Sequence, residues 1–235
     1  MSDSVIFGPV SPMGDGEREP LPIAGYGLIA DRCAAALVGR DGSIDWLCLP
    51  RFDSQAIFGR ILDPQGGHWS IRPANAFASE WRYLPGTLVL ETTFTTETGV
   101  VRLTDAMLFA DDAGRPHEVL RSVSGVSGEV ELAVELEPHG DEPERVAVRS
   151  GVAGEMFSVR PGEQIGFSLC WLPAEVAITV APTPPAAVEA RIKETVWRSW
   201  AEGHDVSAGT HRRLARLSSE ILERDETRVL VGALA

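Results

Sequence analysis

Alternation of apolar and polar residues with a period of two runs through most of this chain and restricts its fold more than any other property. In TLVLETTFTT, Leu88, Leu90 and Phe94 share one face, and Glu91, Thr93 and Thr95 share the other. Val130, Leu132, Val134 and Leu136 alternate with Glu129, Glu131, Glu135 and Glu137, and Ile165, Phe167, Leu169 and Trp171 form one face of IGFSLCWL. Successive side chains on a strand point to opposite sides, so each run predicts a strand with one buried and one wet face. VVRLTDAML, HEVLRSVSG, VAVRS, MFSVR and EVAITV read as further strands. The chain has 23 glycines and 16 prolines in 235 residues, which supplies turns between the runs. Roughly ten strands with mostly short links predict a mainly β fold, an antiparallel β-sandwich, rather than βαβ units. AALVG, then Arg40-Asp41-Gly42-Ser43, then IDWLCL predicts a hairpin closed by a type I′ turn at Asp-Gly.

The period changes after Pro182-Thr183-Pro184-Pro185. Val188, Ile192, Val196 and Trp200 fall four apart and predict a helix, with the prolines in its first turn. Leu214, Leu217 and Ile221 mark the apolar side of a second. Residues 1–20 carry three prolines, three glycines and four acids without a period and read as a flexible tail. The expected division is therefore a tail over 1–20, a sandwich over 21–182 and two C-terminal helices over 183–235. Two apolar helix stripes, with the apolar end Val229-Leu230-Val231-Gly232-Ala233-Leu234, are more than one sheet face covers, so a homodimer or a contact with another chain is expected.

Charge bears on partners. Acids outnumber bases 34 to 21, a net charge of −13, which repels phosphate backbones and anionic lipid; no nucleic acid and no membrane partner is expected. No apolar run reaches the ~20 residues that span a bilayer, and no basic start followed by an apolar stretch suggests a secretory leader. Cys33, Cys48 and Cys170 lie scattered in apolar runs without a C-x-x-C pair. They read as small buried hydrophobes of a reducing, cytoplasmic protein, with no metal and no cofactor expected.

No nucleophile elbow, zincin motif or phosphate-binding glycine loop is present. The densest polar-aromatic segment is Asp45-Trp46-Leu47-Cys48-Leu49-Pro50-Arg51-Phe52-Asp53-Ser54. Trp46, Arg51 and Phe52 could stack on a sugar or another flat ligand, with Asp45 and Asp53 accepting hydroxyls. On the residues alone the favoured reading is the plainer one, that Arg51 and Asp53 are a local ion pair closing the loop over a core Trp46. Glu91, His117 and Trp171 complete the candidate ligand-binding set; Asp31 and Asp105 are ambiguous between turn, surface and site.

Two stretches carry a resemblance. Pro22-Ile-Ala-Gly-Tyr-Gly-Leu-Ile-Ala-Asp31 is followed by AALVGRDGSIDWLCLPRFDSQAIFGRILD over 35–63, and later by Arg82-Tyr83-Leu84-Pro85-Gly86-Thr87, Leu90-Glu91-Thr92-Thr93 and Thr104-Asp105-Ala106. The chain resembles the N-terminal β-sandwich domain of the trehalase and glucoamylase-like proteins of glycoside hydrolase family 15, and 189–200 is similar to that family's linker helix. The resemblance implies a supersandwich-like fold. It also implies that hydrolysis belongs to two glutamates of an (α/α)6 barrel beyond the sandwich, so no residue here inherits a catalytic role. The passage after Glu137-Pro138 is shorter than in the family, which suggests a domain that evolved alone.

The expected function is that of a stand-alone, non-hydrolytic binding or accessory module, able to hold a carbohydrate, another small molecule or a protein chain. One alternative is an enzyme that reuses the sandwich interior as a small-molecule pocket for a cyclisation, isomerisation or lyase step. The other is a fragment of a trehalase/glucoamylase-like hydrolase.

Overall fold

The fold was described from a computed structural model, which describes residues 5–10, 21–31, 33–85, 87–108, 117–139, 145–172 and 183–194. Two antiparallel sheets face each other. The first contains, in spatial order, β1 (Val5–Val10), β7 (Phe77–Tyr83), β8 (Leu90–Thr95), β9 (Gly99–Leu108), β10 (Glu118–Gly128), β14 (Gln164–Trp171) and β12 (Val146–Ser150). The second runs β13 (Met156–Val159), β11 (Val130–Glu137), β6 (His68–Pro73), β4 (Ser43–Cys48), β3 (Ala35–Gly39) and β2 (Tyr26–Ala30), with β5 (Ala56–Phe58) paired to β4.

The alternation maps onto the core. Leu90, Phe94, Leu103, Phe167 and Leu169 of the first sheet meet Ile44, Trp69, Ile71 and Leu132 of the second in one cluster, all at most 1% exposed. Each such side chain contributes about 1.5–3 kcal/mol by leaving water. Phe94 also packs edge-to-face on Phe77, with ring centres 5.1 Å apart.

Two charged residues cross this core. Asp105 on β9 and Arg121 on β10 are fully buried, and Arg121 Nε donates to Asp105 Oδ1 at 2.8 Å. The guanidinium then reaches the second sheet, where Nη1 donates to the Trp69 carbonyl at 2.7 Å and Nη2 to the Gly42 carbonyl at 2.6 Å. Its Cζ lies over the Trp69 ring, 5.0 Å from the ring centre. Arg121 is thus a bolt from one sheet to the backbone of the other.

The Asp41-Gly42 hairpin differs from expectation. Its link is three residues, Arg40-Asp41-Gly42, between β3 and β4, and Gly42 N–H donates to Gly39 O at 2.9 Å. Gly42 has φ +82°, the glycine position of a three-residue turn rather than a two-residue I′ turn. A Cβ there would stand 2.3 Å from the Ile71 carbonyl oxygen, so glycine is required twice over.

Val5–Val10, inside the segment read as a tail, has the backbone of an edge strand against β7, with a register shift between Phe7 and Val10. Gly8 and Pro9 hide this strand in the sequence, and proline is tolerated at a sheet edge. At the other terminus, helix α1 (Val188–Glu194) lies on the outer face of the first sheet. Val188 and Ile192 bury themselves with Val89, Ala106, Leu108 and Leu120. Close approach needs Gly166, whose Cβ would come within 2.3 Å of the Pro185 carbonyl oxygen. The first half of the predicted helical stripe is therefore covered by its own sheet. Val196, Trp200, the second helix with Leu214, Leu217 and Ile221, the apolar end and the EVAITV strand lie outside the described residues.

Candidate functional site

The candidate residues do not converge on one pocket. Asp45 sits on β4 just past the hairpin, 5% exposed. It accepts from Tyr26 Oη at 2.9 Å, Ser43 Oγ at 2.6 Å, and Arg60 Nη2 and Nε at 2.6 and 3.1 Å. Arg60 Nη2 also reaches Ser43 Oγ at 2.5 Å. Burial, then the Asp45 charge, pushes the Tyr26 phenol well above its ordinary value. This charge-assisted knot ties β2, β4 and the segment after β5 together. Trp46, the next residue on β4, is half-buried.

Beyond β4, Arg51 Nε donates to Asp53 Oδ1 at 3.0 Å with both side chains more than half exposed, and the pairing holds the Asp53 carboxyl below its usual range. Arg51 N–H donates to Ser54 Oγ at 3.1 Å, and Phe52 N–H to the Cys33 carbonyl at 3.0 Å. The loop therefore rests on the turn after β2.

That turn carries the most specific arrangement. The Asp31 side chain is fully buried; Oδ1 accepts from Ala34 N–H at 2.7 Å and Cys33 N–H at 3.0 Å, and Oδ2 accepts from His117 Nδ1 at 2.5 Å. The carboxylate fixes the imidazole so that Nε2 is its acceptor nitrogen when neutral. His117 O accepts from Trp171 N–H at 3.2 Å, and the Arg145 guanidinium lies 5.6 Å from the Trp171 ring centre. Hence the turn at Asp31, the Arg51–Asp53 loop, His117 and Trp171 share one end of the sandwich.

Glu91 lies elsewhere, on the outer face of the first sheet. Arg82 Nη2 reaches it at 2.6 Å and Arg102 Nε at 3.3 Å, beside a shallow cleft of about 250 Å³ lined also by Glu80, Trp81 and Thr93. A larger cleft of about 480 Å³ opens between β11 and β12, with Trp69 and Phe167 in its lining. Beside it Glu135 meets His68 Nε2 and Ser70 Oγ at 3.2 Å each and Arg72 at 3.5 Å, and the hydrogen bond from His68 holds its carboxyl down at about 2.

Sequence reasoning missed Arg60, Arg121 and Glu135 as structural centres. For Arg121 a signal existed: it shares a strand face with Val119 and Val123, so a charge stood on an apolar face. Asp105 shares its parity with Leu103 and Met107 in the same way. Arg60 follows Asp45 by fifteen residues, a spacing with no local meaning.

The family model described as "Trehalase-like, N-terminal" matches residues 15–159. The trehalase of Mycolicibacterium smegmatis is 39% identical over 142 residues, covering 53% of this chain and 21% of the relative. The trehalase of Mycobacterium tuberculosis is 37% identical over 153 residues, covering 56% and 22%. The trehalase of Thermoplasma volcanium is 27% identical across 88% of this chain and 38% of its own length. The chain thus spans about a fifth of the length of the mycobacterial relatives it matches. No solved structure matches it. The family match covers more than half of the chain and takes in the Asp31 turn, the Asp45 knot and both strands of the Asp105–Arg121 bolt, and on that ground the chain belongs to the trehalase-like N-terminal domain family.

Proposed function

We propose that this sandwich is a non-hydrolytic accessory domain of trehalose-processing chemistry, a rigid body that engages a catalytic region rather than cleaving sugar itself. One observation carries the reading. Among the described buried acids, Asp31, Asp45, Glu91 and Asp105 are each held by a cation or an imidazole within their own part of the sandwich, Glu118 accepts from the Thr183 N–H and hydroxyl, and Asp41 accepts from Ser43 N–H. Glycoside hydrolysis needs two carboxyl groups flanking a sugar, one of them free to give a proton and the other to attack or to activate water. Acids locked in separate ion pairs hold loops and sheets instead. The role is the same whether the catalytic region lies in this polypeptide or in another chain.

A pocket enzyme draws less support. The middle of the sandwich is filled by Trp69, Phe94, Phe167 and the Arg121 side chain, and the cleft of about 480 Å³ is confined to the side between β11 and β12. Carbohydrate contact fits best at the end bearing His117 and Trp171, where an aromatic face and a fixed imidazole lie close together.

A segment exchange tests the accessory role. Residues 15–159 replace the matching stretch of the Mycolicibacterium smegmatis trehalase. The exchange is expected to keep trehalose cleavage, and deletion of the stretch to abolish it. Full cleavage by the deleted enzyme would contradict the proposal.

A further inference from the structure

The two lateral sides of the sandwich are finished differently. On the β2 side the sheets touch, since a Cβ on Gly27 would come within 2.6 Å of the Trp81 ring and 2.8 Å of Leu90. There the Tyr83 hydroxyl also donates to Leu28 O at 2.9 Å and accepts from Leu28 N–H at 2.7 Å. On the other side β12 ends the first sheet, and β13 pairs with β11 only from Val130 to Ala133. The cleft of about 480 Å³ opens at this second side.

Strand register gives the direction of each wall. Leu136 stands opposite Trp69 and Val134 opposite Ile71, so both point between the sheets. Val148 stands opposite Leu169 and does the same from the first sheet. These partners are at most 1% exposed, yet Val134, Leu136 and Val148 are only half-buried. Val152, in the turn after β12, is half-buried too, and Trp69 and Phe167 complete the apolar lining. Inward apolar side chains that the two sheets leave uncovered are thus collected on both walls of one cavity.

Polar side chains are turned off this space. The alternation that sends Leu136 inward puts Glu135 and Glu137 on the outer face of the second sheet, where His68 stands 3.2 Å from Glu135 and 3.6 Å from Glu137. Arg149 stands opposite Ser168 on the outer face of the first. Ser150 has the inward parity of Val148, but its hydroxyl is engaged with Val152, donating to the carbonyl at 2.9 Å and accepting from the N–H at 3.2 Å. Glu155 is exposed at the rim, and its carbonyl accepts from Val134 N–H at 2.7 Å. The described lining therefore offers no cation and no uncommitted hydroxyl, and nothing in it suits an anion or a sugar.

We propose that this cleft is a binding site for a small, uncharged, apolar molecule, held between the sheets over a floor of Trp69 and Phe167. Its volume falls within the range of about 300–1,000 Å³ for small-molecule sites, and aliphatic walls with an aromatic floor are their usual makeup. Covering the half-exposed valines and Leu136 supplies the affinity. The proposal goes beyond the accessory role, and it stands or falls without any measurement of sugar cleavage.

The test uses the whole chain and N-phenyl-1-naphthylamine, a neutral probe that fluoresces when it leaves water. The expected result is one probe per chain with a Kd of about 10 µM or tighter, unchanged by an excess of trehalose. Val148→Trp and Val152→Trp each put an indole into the cleft, and each should weaken binding about tenfold or more. Circular dichroism checks that the variants fold. Methyl NMR of the parent chain needs no variant: the Val134, Leu136, Val148 and Val152 signals should shift as probe is added, while those of Leu28 and Leu103 stay. No saturable binding up to about 50 µM probe would overturn the proposal. So would displacement by trehalose, equal binding in the folded variants, or shifts confined to methyls outside the cleft.

Discussion

Replacing Arg121 by methionine should cost this protein more than any other single change in the core. The substitution keeps an unbranched apolar stem and removes the guanidinium. Three hydrogen bonds go with it, to Asp105 Oδ1 and to the carbonyls of Trp69 and Gly42. Asp105 is left fully buried, and its second oxygen already has no partner. Removing one member of a buried pair costs about 3–5 kcal/mol, because the survivor is uncompensated. The two carbonyls add to this, though not in full, since all three bonds belong to one group. A loss of about 4 kcal/mol is expected, out of the roughly 5–15 kcal/mol that holds a domain. With a urea slope of about 2 kcal/mol/M the midpoint should fall by about 2 M. The pH dependence has a definite sign. Burial raises the Asp105 carboxyl above its usual range, and Arg121 opposes that rise. Without Arg121 the folded state holds this proton more tightly than the unfolded state does. Variant stability should therefore fall as pH rises above the ordinary carboxylate range and recover as pH is lowered from 7 towards 5. Removing both charges, as Arg121→Met with Asp105→Leu, should recover most of the loss, since an apolar pair of similar volume replaces a buried ion pair at little cost. A single variant within about 1 kcal/mol of the parent, or a double variant as unstable as the single, would refute the bolt.

Other expectations are independent. Tyr83→Phe removes both bonds to Leu28 and should cost about 1–2 kcal/mol in urea unfolding; no change would mean water serves that edge equally well. The Glu135 carboxyl is held at about 2, so the unfolded chain takes up its proton first, and the contribution present above about 4.5 should be lost as pH falls towards 2. Glu135→Gln should remove that step from a plot of urea midpoint against pH. Burial pushes the Cys48 thiol up to about 11 and Cys170 up to about 12, so in the native chain only half-buried Cys33 should react quickly with a disulfide reagent at pH 8. Fast reaction of all three without denaturant would contradict their burial.

Strands and their inward faces were legible in the sequence because a period of two is a local property. Leu90, Phe94, Leu132 and Phe167 lie where the alternation places them. Val5–Val10 was not legible, since Gly8 and Pro9 break its pattern and its support is the edge of a strand some seventy residues away. The Asp45–Ser54 block was visible as a dense polar segment, but its parts separate. Asp45 turns inward to Tyr26 and Arg60, while Arg51 and Asp53 pair at the surface. The Arg51–Asp53 pair is the local one that the sequence offered, whereas the partners of Asp45 are tertiary and no spacing announces them. His117 and Asp31 meet across 86 residues for the same reason. The cleft beside β12 depends on where β13 stops pairing, which alternation alone does not show.

The central claim is that the acids of this domain hold the fold together and do not hydrolyse sugar. Glucose release is the direct measurement, with the purified chain at high concentration and trehalose and maltose as separate substrates. The account predicts no release above buffer, and the same null result for Asp45→Asn and Glu91→Gln, with those variants showing their change in urea stability instead. Glucose release that persists through purification and disappears in one of these carboxylate variants, while its fold is retained, would contradict it.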